Sequence, residues 1–212
     1  MSGVFLSFEG GEAAGKSVQA ARLAESLGTR GRGVLLTREP GGTPFAERIR
    51  DVLLHAREVD LTPETQALLF SAARAQHTRD VIHPALAEGK VVIADRYFDS
   101  TLAYQGCGLG ADLEGLRAMT RFAVGPLVPQ RTFLIDVPVA VTLSRLAERS
   151  GVARWDRFHG DDRAFYERVR DGYLRLAAAE PGRFVVIDGD RAEEVVAADI
   201  RRQVDQLLGL PA

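Results

Sequence analysis

Residues 10–17 read Gly-Gly-Glu-Ala-Ala-Gly-Lys-Ser and match the pattern G-x-x-x-x-G-K-[ST] in full. That spacing suits phosphate. Glycines let backbone N–H groups turn onto phosphate oxygens, and a following helix presents the positive end of its dipole to the anion. The lysine reaches the terminal phosphates and the closing hydroxyl is placed to ligate magnesium. Gly10, Gly11, Glu12, Ala13, Ala14, Gly15, Lys16 and Ser17 are therefore the expected nucleotide cradle. Lys16 and Lys90 are the only lysines in a chain that otherwise takes its positive charge from arginine. A compact point charge beside phosphate is the role that suits lysine.

Two further charged groups close apolar runs, Thr37-Arg38-Glu39-Pro40 and Asp95-Arg96-Tyr97. An acid ending a strand near a phosphate loop is suited to organise magnesium and its water, so Asp95 joins Ser17 as the expected metal set. Arg96 offers a planar donor fork for an anionic substrate. The histidines at 55, 77, 83 and 159 show no metal-ligand spacing such as H-E-x-x-H.

The elements that position these residues follow from periodicity. Short apolar runs over Val4–Glu9, Val34–Arg38, Val91–Asp95, 131–137 and Phe184–Asp188 read as strands buried on both faces. Between them, apolar residues at three- and four-residue spacing predict helices over 16–27, 44–54, 63–88, Leu113–Val124, 139–147, Arg163–Ala179 and 192–208, with Pro84 kinking or breaking the third. Thr43-Pro44 and Thr62-Pro63 each place a capping hydroxyl before a first-turn proline. Strands alternating with helices imply an α/β three-layer fold with a five-stranded parallel sheet, and ligands in such sheets bind beyond the carboxyl ends of the strands. The run Gly106-Cys-Gly-Leu-Gly110 follows a helical segment rather than a strand, so it reads as a loop and not as a dinucleotide motif.

Composition narrows the class. The 212 residues are 46% hydrophobic and 26% charged, enough for a single domain with one core. A net charge of −2 gives no basic field, so neither nucleic acid nor a membrane surface is implied as partner. Cys107 is the one cysteine, which excludes an internal disulfide framework. The first strand runs straight into the charged loop, so no signal peptide is expected, and no apolar run approaches the ~18 residues of a membrane span. The cytoplasm is the expected location. Residues 148–162 are polar and arginine-rich without a clear period.

Taken together, 8–17, 37–43, Leu69-Phe-Ser-Ala-Ala-Arg-Ala-Gln-His77, the stretch from Asp95 to Gly106 and Asp156-Arg-Phe158 resemble thymidylate kinases of the bacterial form, in order and spacing, over nearly the whole chain. The resemblance implies a P-loop fold with a mobile lid, transfer of the ATP γ-phosphoryl group to dTMP with magnesium, and a homodimer packed through helices. It implies that Phe70 stacks on thymine, Arg74 hydrogen-bonds the base, and Thr101 with Ser100 reads the base edge. It also implies that Tyr104 crowds the sugar 2′ position, with Gln105 in the same segment, and that Glu12 contacts the 3′-hydroxyl. Arg50 and Arg96 match the arginines that grip the 5′-phosphate, with Arg38 and Glu39 supporting them and the magnesium water shell.

Catalysis would then rest on positioning and charge neutralisation, because the nucleophile is already an anionic phosphate oxygen and no general base is required. Lys16 and a lid arginine would meet the charge on the γ-phosphoryl group. Ala13 stands where one branch of the family has an arginine, so that charge is expected from Arg149, Arg154 or Arg157, with Asp156-Arg157 the best match. Ala73 stands where an acid commonly precedes the base-reading arginine, which predicts a less firmly oriented Arg74. Two other classes are weighed against this reading. A GTPase switch needs an N-K-x-D guanine motif, which is absent, and a nucleoside kinase needs a base such as Glu39 or Asp95 to activate a sugar hydroxyl.

Overall fold

Five short apolar runs become five parallel strands: β1 (Val4–Glu9), β2 (Val34–Arg38), β3 (Val91–Asp95), β4 (Arg131–Asp136) and β5 (Phe184–Asp188). The computed structural model describes residues 3–55, 60–148 and 162–210. The strands lie in the order β2-β3-β1-β4-β5. The central strand is β1, and its Phe5, Leu6 and Phe8 are fully buried between the helix layers. Edge strands β2 and β5 keep partly exposed residues such as Leu36 and Val186.

The helices are α1 (Lys16–Thr29), α2 (Pro44–His55), α3 (Pro63–His77), α4 (His83–Ala87), α5 (Phe98–Thr101), α6 (Leu113–Val124), α7 (Val139–Glu148), α8 (Arg163–Ala179) and α9 (Glu193–Leu208). Helices α1 and α9 cover one face of the sheet, where Leu23, Leu27, Ile200 and Val204 meet Leu6, Phe8 and Ile93. On the other face, Tyr97, Phe165, Val169 and Tyr173 meet Phe5, Val92 and Leu134. Each such aliphatic or aromatic side chain contributes roughly 1.5–3 kcal/mol by leaving water. A small third cluster, Ala46, Ile49, Leu53 and Ala73, joins α2 to α3.

Both expected caps form. Thr43 Oγ1 accepts the Ala46 N–H at 3.0 Å and Thr62 Oγ1 accepts the Thr65 N–H at 3.2 Å. The helix expected over 63–88 is divided into α3, a π-helical turn at Thr78–Ile82 and α4. Pro84, which has no N–H to give an α-helical ladder, follows directly on that wider turn. The glycine run is a correction to the sequence reading: Leu102–Gly108 is π-helical, not loop, through Gly108. The reason is packing against α8. A Cβ on Gly108 would come within 2.7 Å of Phe165 and Val169, and one on Gly172 within 2.6 Å of Cys107. The glycines are there for close approach between helices.

The register brings the strand ends together. Phe8 and Arg38 both pair with Asp95, Glu9 with Leu134 and Asp136 with Asp188, so the carboxyl ends form one rim. Gly10 leaves β1 at φ 138°, and a Cβ there would collide with the Ile135 carbonyl of β4.

Candidate active site

The phosphate loop fills the turn between β1 and α1, as the octet requires. Ala13 holds φ 51°, a left-handed conformation that costs a non-glycine residue roughly 1–3 kcal/mol and that clusters at functional sites. Lys16 folds back, donating to the carbonyls of Gly10 at 3.1 Å and Gly11 at 2.6 Å. Burial, with Arg96 next, lowers its ammonium pKa to about 8, against the pull of Glu12 and Asp95. Ser17 Oγ donates to Asp95 Oδ2, so the two expected metal ligands already touch.

Beside the loop lies a cavity of about 680 Å³ including its open mouth, lined by Glu12, Glu39, Phe70, Arg74, Arg96, Ser100, Thr101, Tyr104 and Gln105 among others. Its deep end is built on Glu39. The buried Glu39 carboxylate accepts Arg74 Nε at 2.6 Å and faces His77 Nδ1 at 3.0 Å, and His77 Nε2 reaches Thr37 Oγ1 at 2.8 Å. Arg74 Nη2 donates to Thr101 Oγ1 at 3.2 Å and to the Tyr97 carbonyl at 3.3 Å. Arg74 Nη1 has no hydrogen-bond partner among the described residues. Buried donors are nearly always satisfied, so this one is available to a ligand in the cavity. The expected looseness of Arg74 is therefore corrected. Alanine at 73 removes nothing, because the orienting acid is Glu39, far away in sequence. Both Glu39 carboxylate oxygens are thus engaged, one by Arg74 and one by His77.

At the other end Arg96 sits at φ 71°, again left-handed, and is held on every side. Its Nη2 donates to Glu12 Oε1 at 2.7 Å and to Tyr104 Oη at 3.2 Å. Its Nη1 donates to the Gly10 carbonyl at 3.2 Å, Ser100 Oγ at 3.0 Å and Tyr173 Oη at 3.3 Å. The Tyr104 ring lies under the guanidinium, 4.9 Å from centroid to carbon, and its hydroxyl donates to Glu12 at 3.1 Å. Ser100 thus joins the Arg96 cluster, whereas Thr101 beside it joins Arg74.

Phe70 is half-buried at the wall, packed against the α2–α3 cluster. Gln105 is buried and donates to Gln66 Oε1 at 3.1 Å. Arg50 Nη1 donates to the Pro40 carbonyl at 3.0 Å, and burial followed by Arg38 lowers its pKa. Arg38 is exposed and pairs with Glu47 at 3.4 Å. Arg149, Arg154 and Arg157 lie outside the described residues.

Sequence reasoning missed several supports. Arg145 reaches the Ala13 carbonyl at 3.4 Å and the Gly189 carbonyl at 3.3 Å, bracing the loop from α7. Arg170 grips Asp136 through two bonds of 2.7 and 2.8 Å. The buried Asp99–Arg183 pair, at 2.6 and 2.9 Å, ties α5 to the start of β5. His77 and Glu9 are visible in the sequence, Glu9 as the acid that ends the first strand, but neither is given a role there. The one available signal was that Glu9, Asp95 and Asp136 all end strands at one rim.

Similarity to known proteins agrees with this geometry. The family model "Thymidylate kinase" matches residues 8–200. The thymidylate kinase of Pseudomonas syringae pv. tomato is 47% identical over 208 residues, covering 98% of this chain and 96% of that protein. That of Trichlorobacter lovleyi is 46% identical over 211 residues, covering 98% and 100%. The crystal structure of thymidylate kinase from Ehrlichia chaffeensis superposes with a TM-score of 0.79 at 33% identity, covering 97% of this chain and 99% of that one. A phosphate loop beside a buried arginine-lined cavity, on this sheet and with these relatives, means that the chain belongs to the thymidylate kinase family.

Proposed function

We propose how this chain, which as a member of that family phosphorylates dTMP with ATP, divides the work among its residues. The observation that carries the assignment is the cavity whose deep end presents Arg74 and Thr101 and whose near end presents Arg96 against the phosphate loop. Thymine enters between Phe70 and Arg74, with Thr101 and Gln105 at its edge. Tyr104 stands at the sugar and Glu12 at its 3′-hydroxyl. Arg96 and Arg50 bind the 5′-phosphate, with Arg38 behind them.

The loop from Gly10 to Ser17 holds the ATP phosphates, and Lys16 draws off negative charge as the γ-phosphoryl group leaves. An amine pKa near 8 leaves Lys16 mostly charged at neutral pH. Ser17 and Asp95 are the residues that would hold Mg2+, directly or through water; two adjoining oxygen ligands suit a hard cation. The ion supplies charge neutralisation on the phosphates. Glu39 and His77 keep Arg74 in place and take no proton from the acceptor.

The remaining cation for the γ-phosphoryl group is assigned to Arg157, Arg154 or Arg149, in a lid over residues 148–162 of a single domain. Alanine at each in turn lowers turnover most at the true donor; equal, negligible losses at all three would overturn that assignment. A homodimer through helices is supported by the apolar Phe45, Val52, Leu68 and Phe122 exposed on α2, α3 and α6, with Phe122 at 93%. Light scattering of the purified chain tests it, and a monomer mass rejects it. No described helix is long and apolar enough to cross a membrane, and a reaction on free nucleotides suits the cytoplasm.

The primary experiment measures ADP formation from ATP and magnesium with dTMP, dUMP, UMP, AMP, GMP or thymidine, and with no acceptor. Strong dependence on dTMP is expected. Turnover on thymidine but not dTMP, or hydrolysis independent of acceptor, would overturn the assignment of the cavity.

A further inference from the structure

Glu9, at the end of β1, is buried and has no part in the division of work above. Its Oε1 accepts the Tyr97 N–H at 2.7 Å. Its Oε2 is one corner of a triangle, 2.6 Å from Ser100 Oγ and 2.9 Å from Tyr173 Oη. The third edge, between the two hydroxyl oxygens, is 2.8 Å. All three edges are at hydrogen-bond distance, and each needs one proton.

The two hydroxyls bring two protons. Tyr173 keeps its own, because burial first and the Glu9 carboxyl next hold that phenol well above its ordinary range. Arg96 Nη1 donates to Ser100 and Tyr173 from outside the triangle and puts no hydrogen on an edge. An ionised Glu9 therefore leaves two oxygens in contact with nothing between them. A protonated Glu9 supplies the third hydrogen and closes the ring.

We propose that Glu9 is a positioning residue working as a neutral acid: its proton closes the ring with Ser100 and Tyr173, fixing both hydroxyl oxygens as acceptors for Arg96 without adding a second anion beside that guanidinium. The proposal rests on Arg96 as the ligand of the acceptor phosphate. The charges facing Glu9 are Arg96, the Lys16 ammonium from α1, and Asp99 from α5, itself paired with Arg183. Glu12 and the Tyr104 phenol face Arg96 from its far side. Burial, with Asp99 next, pushes Glu9 up to about 7, against the pull of Ser100, Arg96 and the Tyr97 N–H. Glu12 already neutralises part of Arg96, so a second carboxylate below it would weaken its hold on a phosphate dianion.

The test is the KM for dTMP of wild type and Glu9→Gln from about pH 6 to about pH 9, expressed as a ratio so that the acceptor's own phosphate titration near pH 6 cancels. The ratio of wild type to variant should stay level in acid and rise on the order of fivefold with a midpoint near 7, while the kcat ratio stays flat. A variant with KM raised equally at every pH would mark Glu9 as an ordinary structural carboxylate and overturn the proposal. Infrared spectra of the wild type need neither Glu9→Gln nor turnover. They should show a protonated carboxyl band in mild acid that fades by about pH 9 and shifts in Tyr173→Phe. No such band, or one blind to Tyr173, overturns the proposal even if dTMP is turned over, whereas failure on dTMP with the band present faults the acceptor assignment alone.

Discussion

The two ends of the cavity beside the phosphate loop each rest on a buried carboxylate, yet they are built differently. At the Arg74 end Glu39 is held by the Arg74 guanidinium at 2.6 Å and the His77 imidazole at 3.0 Å. At the Arg96 end Glu9 hydrogen-bonds, among the described residues, with a backbone N–H and two hydroxyls, and Arg96 is engaged through those hydroxyls. Burial alone therefore does not decide what an internal acid does. The Arg74 guanidinium makes Glu39 half of an ion pair that aims it, whereas neutral partners make Glu9 a place where a proton is held.

Glu39→Ala should break the contrast most heavily, because it strands Arg74 in the interior; the expected loss is about 3–5 kcal/mol by urea unfolding. Glu9→Ala should cost less, about 1–3 kcal/mol for the donors it leaves unmatched. Equal losses would erase the distinction between the two ends.

The pH dependence of stability sharpens it. A carboxyl raised from 4.5 to about 7 on folding binds its proton more tightly in the folded chain. Its stabilising effect is complete below about pH 4.5 and is lost as pH rises through about 7. Glu9→Gln should thus track wild type in acid apart from a pH-independent offset, gain on it as pH rises from about 4.5 to about 7, and level off beyond that at up to roughly 3 kcal/mol. A flat difference across pH refutes the assignment.

Smaller effects test the fittings around Arg96. Tyr104→Phe removes a hydroxyl that donates to Glu12 and accepts from Arg96, and should cost roughly 1.5 kcal/mol of stability while raising the KM for dTMP. Ala13→Gly relieves a left-handed alanine and should gain at most about 1 kcal/mol, read as a rise in Tm.

Much of this was legible in the sequence because its signals are local. The octet at 10–17, the threonine-proline caps and the alternation of apolar runs with helical spacing each act within a few residues, and all three appear where expected. What escaped reading depends on partners distant along the chain. Arg74 is oriented by an acid 35 residues away and Glu9 is completed by a tyrosine 164 residues away. The run from Gly106 to Gly110 reads as loop in the sequence, and glycine disfavours helices, but contact of Gly106 with α6 and Gly108 with α8 overrides that preference. Ser100 and Thr101 look equivalent as neighbours, yet consecutive positions on a helix point in different directions, one toward Arg96 and one toward Arg74.

Gly10 illustrates how a position can be intolerant for more than one reason. A side chain there would strike the Ile135 carbonyl of the neighbouring strand before any nucleotide arrived, and the φ of 138° would be strained besides. In a saturation mutagenesis experiment, Gly10 variants should disappear from the pool of folded protein as well as from the pool of active enzyme. Lys16 variants should survive the first selection and fail the second, so two neighbours in one motif would separate once abundance and turnover are scored independently.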